Sequence, residues 1–129
     1  MAISDYRITL CALSRLHHVE DMASRITAPP TKVSPATPSR DDHRVFWRLE
    51  PEPGEGFDKA LSRAASWACG YAERLSAIDD VALSLWCEVH SDTEFAGLSI
   101  QSADMMLLGQ GGVELLVSMY AEREGADEQ

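Results

Sequence analysis

Val81-Ala-Leu-Ser-Leu-Trp-Cys-Glu-Val-His-Ser-Asp92 is the stretch whose reading decides the fold. Val81, Leu83, Leu85, Cys87 and Val89 alternate with Ala82, Ser84, Trp86, Glu88 and His90, a period of two that an extended chain sorts onto two faces. One face is uniformly apolar and the other is mixed, so the spacing predicts a strand set against a core on one side only. A doubly wound parallel sheet would demand strands apolar on both faces. The second layer is legible just upstream. Apolar residues fall at 57, 61, 64, 68, 71, 75 and 78, steps of four and three that form one stripe along a helix from Phe57 to Ile78. Lys59, Ser62, Arg63, Ser66 and Glu73 mark its opposite face, with Trp67 on the flank.

Working outward, residues 5–13 alternate again, with Tyr6, Ile8, Leu10 and Ala12 opposed to Arg7, Thr9 and Cys11, as a half-buried strand does. Val19, Met22, Ala23 and Ile26 then share one side of a short amphipathic helix, which Pro29 and Pro30 stop. Residues 27–42 hold four of the six prolines and no periodicity, and are expected to be a long, exposed, partly mobile loop. Arg44 to Leu49 reads as a second strand that ends at Pro51-Glu-Pro-Gly54. The apolar piece Gly97 to Ile100 leads to a short helix expected to be capped by Ser102, with Asp104 in its first turn, and stopped by Gly109-Gln-Gly-Gly112. Val113 to Ala121 is the last strand. The expected fold is a single α+β domain over residues 1–122, a two-layer sandwich. Its mainly antiparallel sheet has about four strands, with one long and two short helices on one face. Residues 123–129 are read as an acidic flexible tail.

The chain has 129 residues, 11 Lys and Arg against 21 Asp and Glu, and a net charge of −10. No stretch approaches the roughly 18 apolar residues of a membrane span, and the polar opening Met-Ala-Ile-Ser-Asp5-Tyr-Arg7 does not resemble a secretory leader, so the expected address is the cytoplasm. Cys11, Cys69 and Cys87 lack disulfide-framework spacing, which suits reduced thiols. The charge is regional. Residues 1–49 carry seven basic and five acidic side chains, whereas residues 50–129 carry four and sixteen. That field disfavours nucleic acid and anionic lipid surfaces and would attract basic partners.

The ordered set Tyr6-Arg-Ile-Thr-Leu10, Pro30-Thr-Lys32, Trp47-Arg-Leu49, Ser91-Asp92, Gly97 with its apolar followers, and Tyr120-Ala-Glu122 resembles a small bacterial family, domain of unknown function 4279. The resemblance runs from about Tyr6 to Glu122. Members usually carry a tryptophan and a glycine soon after the Pro-Thr-Lys element, where this chain has Val33-Ser-Pro-Ala-Thr-Pro38. The resemblance transfers no activity. It implies an association with immunity or accessory proteins of bacterial conflict systems.

If the helices cover the face bearing Val45, Trp47, Leu83, Leu85, Val113, Leu115 and Val117, the other face carries Phe46, Trp86, Leu116 and Tyr120 among Arg44, Arg48 and Glu88. Large apolar side chains mixed with Arg and Glu are the composition of a protein interface, unless the 27–42 loop folds over them. The leading expectation is therefore a non-enzymatic protein-binding module using these seven residues and the acidic C-terminal part. Its partner would be a basic protein or a second copy, with no cofactor, metal, direct nucleic-acid contact or membrane. The alternative is a small enzyme or a ligand- or metal-binding domain using Glu88, His90 and Asp92, which alternate and could project to one side. His17 and His18 with Glu20 and Asp21 lack that geometry, because neighbours on a helix point about 100° apart. Gly109 to Gly112 follows a helix and precedes a strand, the reverse of the order a phosphate loop needs.

Overall fold

A computed structural model describes residues 3–91 and 98–121. Its elements run β1 (Ile3–Ser14), α1 (Val19–Ala23), β2 (Lys32–Ser34), β3 (His43–Arg48), α2 (Phe57–Leu75), β4 (Ala82–Ser91), α3 (Ser102–Gln110) and β5 (Val113–Ala121). The strands form one open sheet in the order β2-β3-β1-β4-β5. All neighbours are antiparallel except β4 and β5, which run parallel through α3. The architecture is the expected α+β layer pair, with five strands rather than four. No helix among the described residues is long and apolar enough to cross a membrane.

The additional strand corrects the reading of residues 27–42 as a loop. β2 pairs Lys32 with Phe46, Val33 with Val45 and Ser34 with Arg44, and three residues are too few to show a period. The prolines on either side are tolerated because an edge strand leaves alternate N–H groups without a ladder partner. Beyond β2 the hairpin is fixed from within. The Arg40 guanidinium donates to the carbonyl of Ser34 at 2.9 Å, to its hydroxyl at 2.8 Å and to the carbonyl of Pro35 at 3.1 Å. Asp42 takes Arg40 at 3.0 Å and Arg44 at 2.8 Å, and the hydrogen bond from Arg44 holds its carboxyl below the usual range.

Even-numbered side chains of β1 point into the core: Ile8, Leu10, Ala12 and Ser14 are all buried. Val45 and Trp47 of β3, Leu83, Leu85, Cys87 and Val89 of β4, and Val113 of β5 join them. One continuous cluster unites the apolar ones among these residues with Val19 and Met22 of α1, the apolar stripe of α2 and Leu108 of α3, so all three helices cover the same face. β3 and β4 both run antiparallel to β1, so α2, which connects them, crosses over the central strand. The cost-free side chains of Ala60, Ala64, Ala65 and Ala68, all fully buried, permit close approach there. Trp47 fills the centre, 2% exposed, its indole N–H donating to the carbonyl of Ala28 at 3.1 Å and its ring edge-on to Tyr71.

Helix ends depart from the sequence reading for local reasons. α2 stops at Leu75 because the Ser76 hydroxyl and amide both donate to the Glu73 carbonyl, closing the last turn, although Ile78 stays buried. The N-cap of α3 is Gln101, not Ser102, and buried Asp104 turns inward to accept the Ser62 hydroxyl at 2.8 Å, joining α3 to α2. Gly112, at φ +65, makes the turn into β5 in a conformation that favours glycine. The β3–α2 connection is held by Arg63, which donates to Glu55 at 2.7 and 2.9 Å and to the Glu50 carbonyl at 2.8 Å, while Tyr6 donates to the Glu55 carbonyl at 2.9 Å.

Trp47→Ala removes the largest buried side chain and is expected to cost about 3–5 kcal/mol in denaturant unfolding. Asp104→Ala, which orphans Ser62, should cost about 1–3 kcal/mol. The hydrogen bonds from Arg63 lower the Glu55 carboxyl to about 2. A folded-state value below the unfolded one means that this interaction stabilises the protein above the unfolded carboxylate pKa, about 4.3, and is lost as pH falls toward 2. Thermal midpoints should therefore drop more between about pH 4.5 and 2 in wild type than in Arg63→Met, whose Glu55 loses the largest cause of the shift.

Candidate functional site

A pleated strand that buries its even side chains must present its odd ones to the other face. No described helix covers that face. Register sorts its side chains into rows across the sheet. Lys32, Phe46, Cys11, Ser84 and Glu114 make one row; Arg48, Thr9, Trp86 and Leu116 make the next; Arg7, Glu88 and Ser118 make a third; Asp5, His90 and Tyr120 make a fourth.

Six of the seven expected site residues thus share one continuous surface beside the sheet centre, and Arg44 lies on the same face at its hairpin end. Phe46 and Trp86 meet edge to face with ring centroids 5.7 Å apart, both half-buried. The indole N–H of Trp86 donates to the Ser84 hydroxyl at 2.7 Å, which fixes the ring along its own strand. Leu116 lies opposite Trp86 and is 42% exposed. Tyr120 is 50% exposed and stacks on His90 at 5.0 Å. Arg44 is committed to Asp42. Cys11, on the same face within electrostatic reach of Arg40, Asp42 and Arg44, is fully buried, whereas Phe46 and Trp86 are only half-buried, so residues 27–42 do not close over the aromatic centre.

Around Phe46 and Trp86 the face is concave, a hollow of about 360 Å³ whose remaining walls are Arg7, Thr9, Thr31, Lys32, Arg48 and Glu88. Arg7 and Lys32 were missed as site residues by the sequence reading. Arg7 was visible on the outward side of β1, but its neighbours depend on strand order, and Lys32 sits in the strand read as a loop. Among the described residues no carboxylate lies within ion-pairing distance of Arg7, Lys32 or Arg48, although Glu88 stands directly across from Arg7. The Lys32 ammonium lies 6.0 Å from the centre of the Phe46 ring, at the outer limit of a cation–π contact.

The alternative cluster is only partly placed. Glu88 and His90 do lie on this open face, and Asp92 lies outside the described residues. The described residues contain no group of three or more His, Cys, Asp or Glu able to hold a metal ion. Comparison with known proteins returns nothing: no family model, no curated protein and no solved structure matches the chain.

The two buried thiols lie on opposite sides of the sheet. Burial pushes Cys11 up to about 11, against a smaller opposing pull from Arg44, and pushes Cys87 up to about 12. Both are held as neutral thiols and are poor nucleophiles at neutral pH. Titration of the native protein with an aromatic disulfide reagent near pH 8 should accordingly modify Cys69 first, and modify Cys11 and Cys87 only on unfolding. Fast labelling of all three in the folded state would contradict this packing.

Proposed function

We propose that this chain is a non-enzymatic protein-binding module, of immunity, anti-defence or accessory type, that docks a protein on its helix-free sheet face. One observation carries the reading: a fixed aromatic pair, Phe46 and Trp86, stands in a hollow of that face with exposed Leu116 and Tyr120 beside it. Aromatic anchors ringed by Arg and polar groups are the usual centre of a protein interface. The ring pair is preorganised by the indole bond to Ser84, so little side-chain freedom remains to be lost on docking. The neutral, buried thiols suit binding better than nucleophilic chemistry. The resemblance to domain of unknown function 4279 is in keeping with an accessory role.

A photo-crosslinking amino acid placed at Tyr120, and separately at Lys59 on the outer side of α2, tests the reading in the native host. A discrete protein adduct at position 120 that is absent at position 59, and that is lost when Trp86→Ala is added, is the expected result. Equal adduct patterns at the two positions would contradict it. An adduct of twice the chain mass would identify a second copy as the partner.

A further inference from the structure

Three cations of the open face are arranged in a line. Lys32 stands opposite Phe46, and Arg48 lies two residues beyond Phe46 on β3. Arg48 stands opposite Thr9, and Arg7 lies two residues beyond Thr9 on β1. Each step is thus a diagonal from one strand to the next, roughly 7–8 Å in a sheet. Same-side residues of an extended peptide recur at about 6.8 Å. A strand-like segment lying obliquely across β2, β3 and β1 can therefore present alternate side chains to successive cations. Phe46 and Trp86 flank the line and offer apolar surface to the stems of those side chains.

Charge narrows the chemistry. The chain as a whole is at −10, yet among the described residues the hollow has three cations against one carboxylate, Glu88. None of the three is paired to an acid among the described residues. Screening over about 8 Å at physiological salt lets a segment with two or three negative charges reach the hollow. A duplex with a charge every 1.7 Å must hold many more charges against the acidic remainder. Arginine also favours carboxylate geometry, through paired N–H donors.

Building on the binding-module reading, we propose that the segment docked on this face is an extended acidic peptide of a partner protein, with Asp or Glu at alternate positions facing Lys32, Arg48 and Arg7. The basic partner expected from overall charge would meet these cations at the centre of the face.

The test is a nuclear magnetic resonance titration of the full ¹⁵N-labelled chain, which reads weak binding directly. Four synthetic peptides are compared: (Glu-Thr) repeated three times, its Gln-Thr and Lys-Thr counterparts, and the block isomer Glu-Glu-Glu-Thr-Thr-Thr. The alternating glutamate peptide should shift the Trp86 indole and the Arg7 and Arg48 Nε–H signals, and bind about tenfold more tightly than the glutamine peptide. The block isomer should bind several-fold more weakly. Arg7→Glu with Arg48→Glu should abolish binding of the glutamate peptide and allow the lysine peptide to bind instead, while Arg74→Glu on α2 should change neither. That exchange of preference could not arise from misfolding. Equal binding of the glutamate and glutamine peptides, preference for the lysine peptide by wild type, or no shift with any peptide would each overturn the acidic segment. Those outcomes leave the docking face itself to be judged by the crosslinks at position 120. Equal binding of the block isomer would overturn the alternate spacing.

Discussion

The two-residue period of β1 is the constraint on which the rest depends. This strand is the centre of the sheet, paired on both sides, so the direction of its side chains sets the direction of every neighbour's. Ile8, Leu10 and Ala12 point toward α2, and the whole helical layer is used on that side. Arg7, Thr9 and Cys11 necessarily point the other way, and a one-residue slip of register would exchange the two sets. The open face is therefore no independent feature. It is the complement of a core that three helices can cover from one side only.

That division also separates two electrostatic regimes. Most of the acidity belongs to residues 50–129, whereas β1, β2 and β3 come from the slightly basic first part of the chain and lie side by side in the sheet. Strand order thus gathers Arg7, Lys32 and Arg48 from distant positions into one hollow. Two further arginines show what happens where acids are at hand. Arg44 is tied to Asp42 and Arg63 to Glu55, each in a short loop-bracing contact. Arg7, Lys32 and Arg48, which have no acidic partner among the described residues, lie on the surface where the aromatic pair stands.

Alternation made β1, β3, β4 and β5 legible from sequence, and the four-and-three stripe made α2 legible, because each turns an apolar face toward the core, although of the described side chains of β5 only Val113 is buried and Met119 is exposed. The outward positions of Phe46, Trp86, Leu116 and Tyr120 followed from the same parity. β2 was not legible: three residues between prolines have no period, and its order comes from Arg40 and Asp42 in the hairpin beyond it. The cationic line was hidden for a related reason. Lys32 joins Arg48 only through the pairing of β2 with β3, and Arg7 joins Arg48 only because β1 pairs with β3. Overall charge, summed along the chain, pointed to a basic partner and could not register this local reversal.

Hydroxyl-radical footprinting read by mass spectrometry examines the open face most directly, since it reports side-chain exposure residue by residue in solution. In the free monomer Phe46, Trp86, Leu116 and Tyr120 should be oxidised readily while Trp47 and Leu85 are spared, and saturation with the alternating glutamate peptide should protect Phe46 and Trp86 together. Protection of all four in the free monomer, or unchanged oxidation of Phe46 and Trp86 in the saturated sample, would contradict a docking surface at the centre of this sheet.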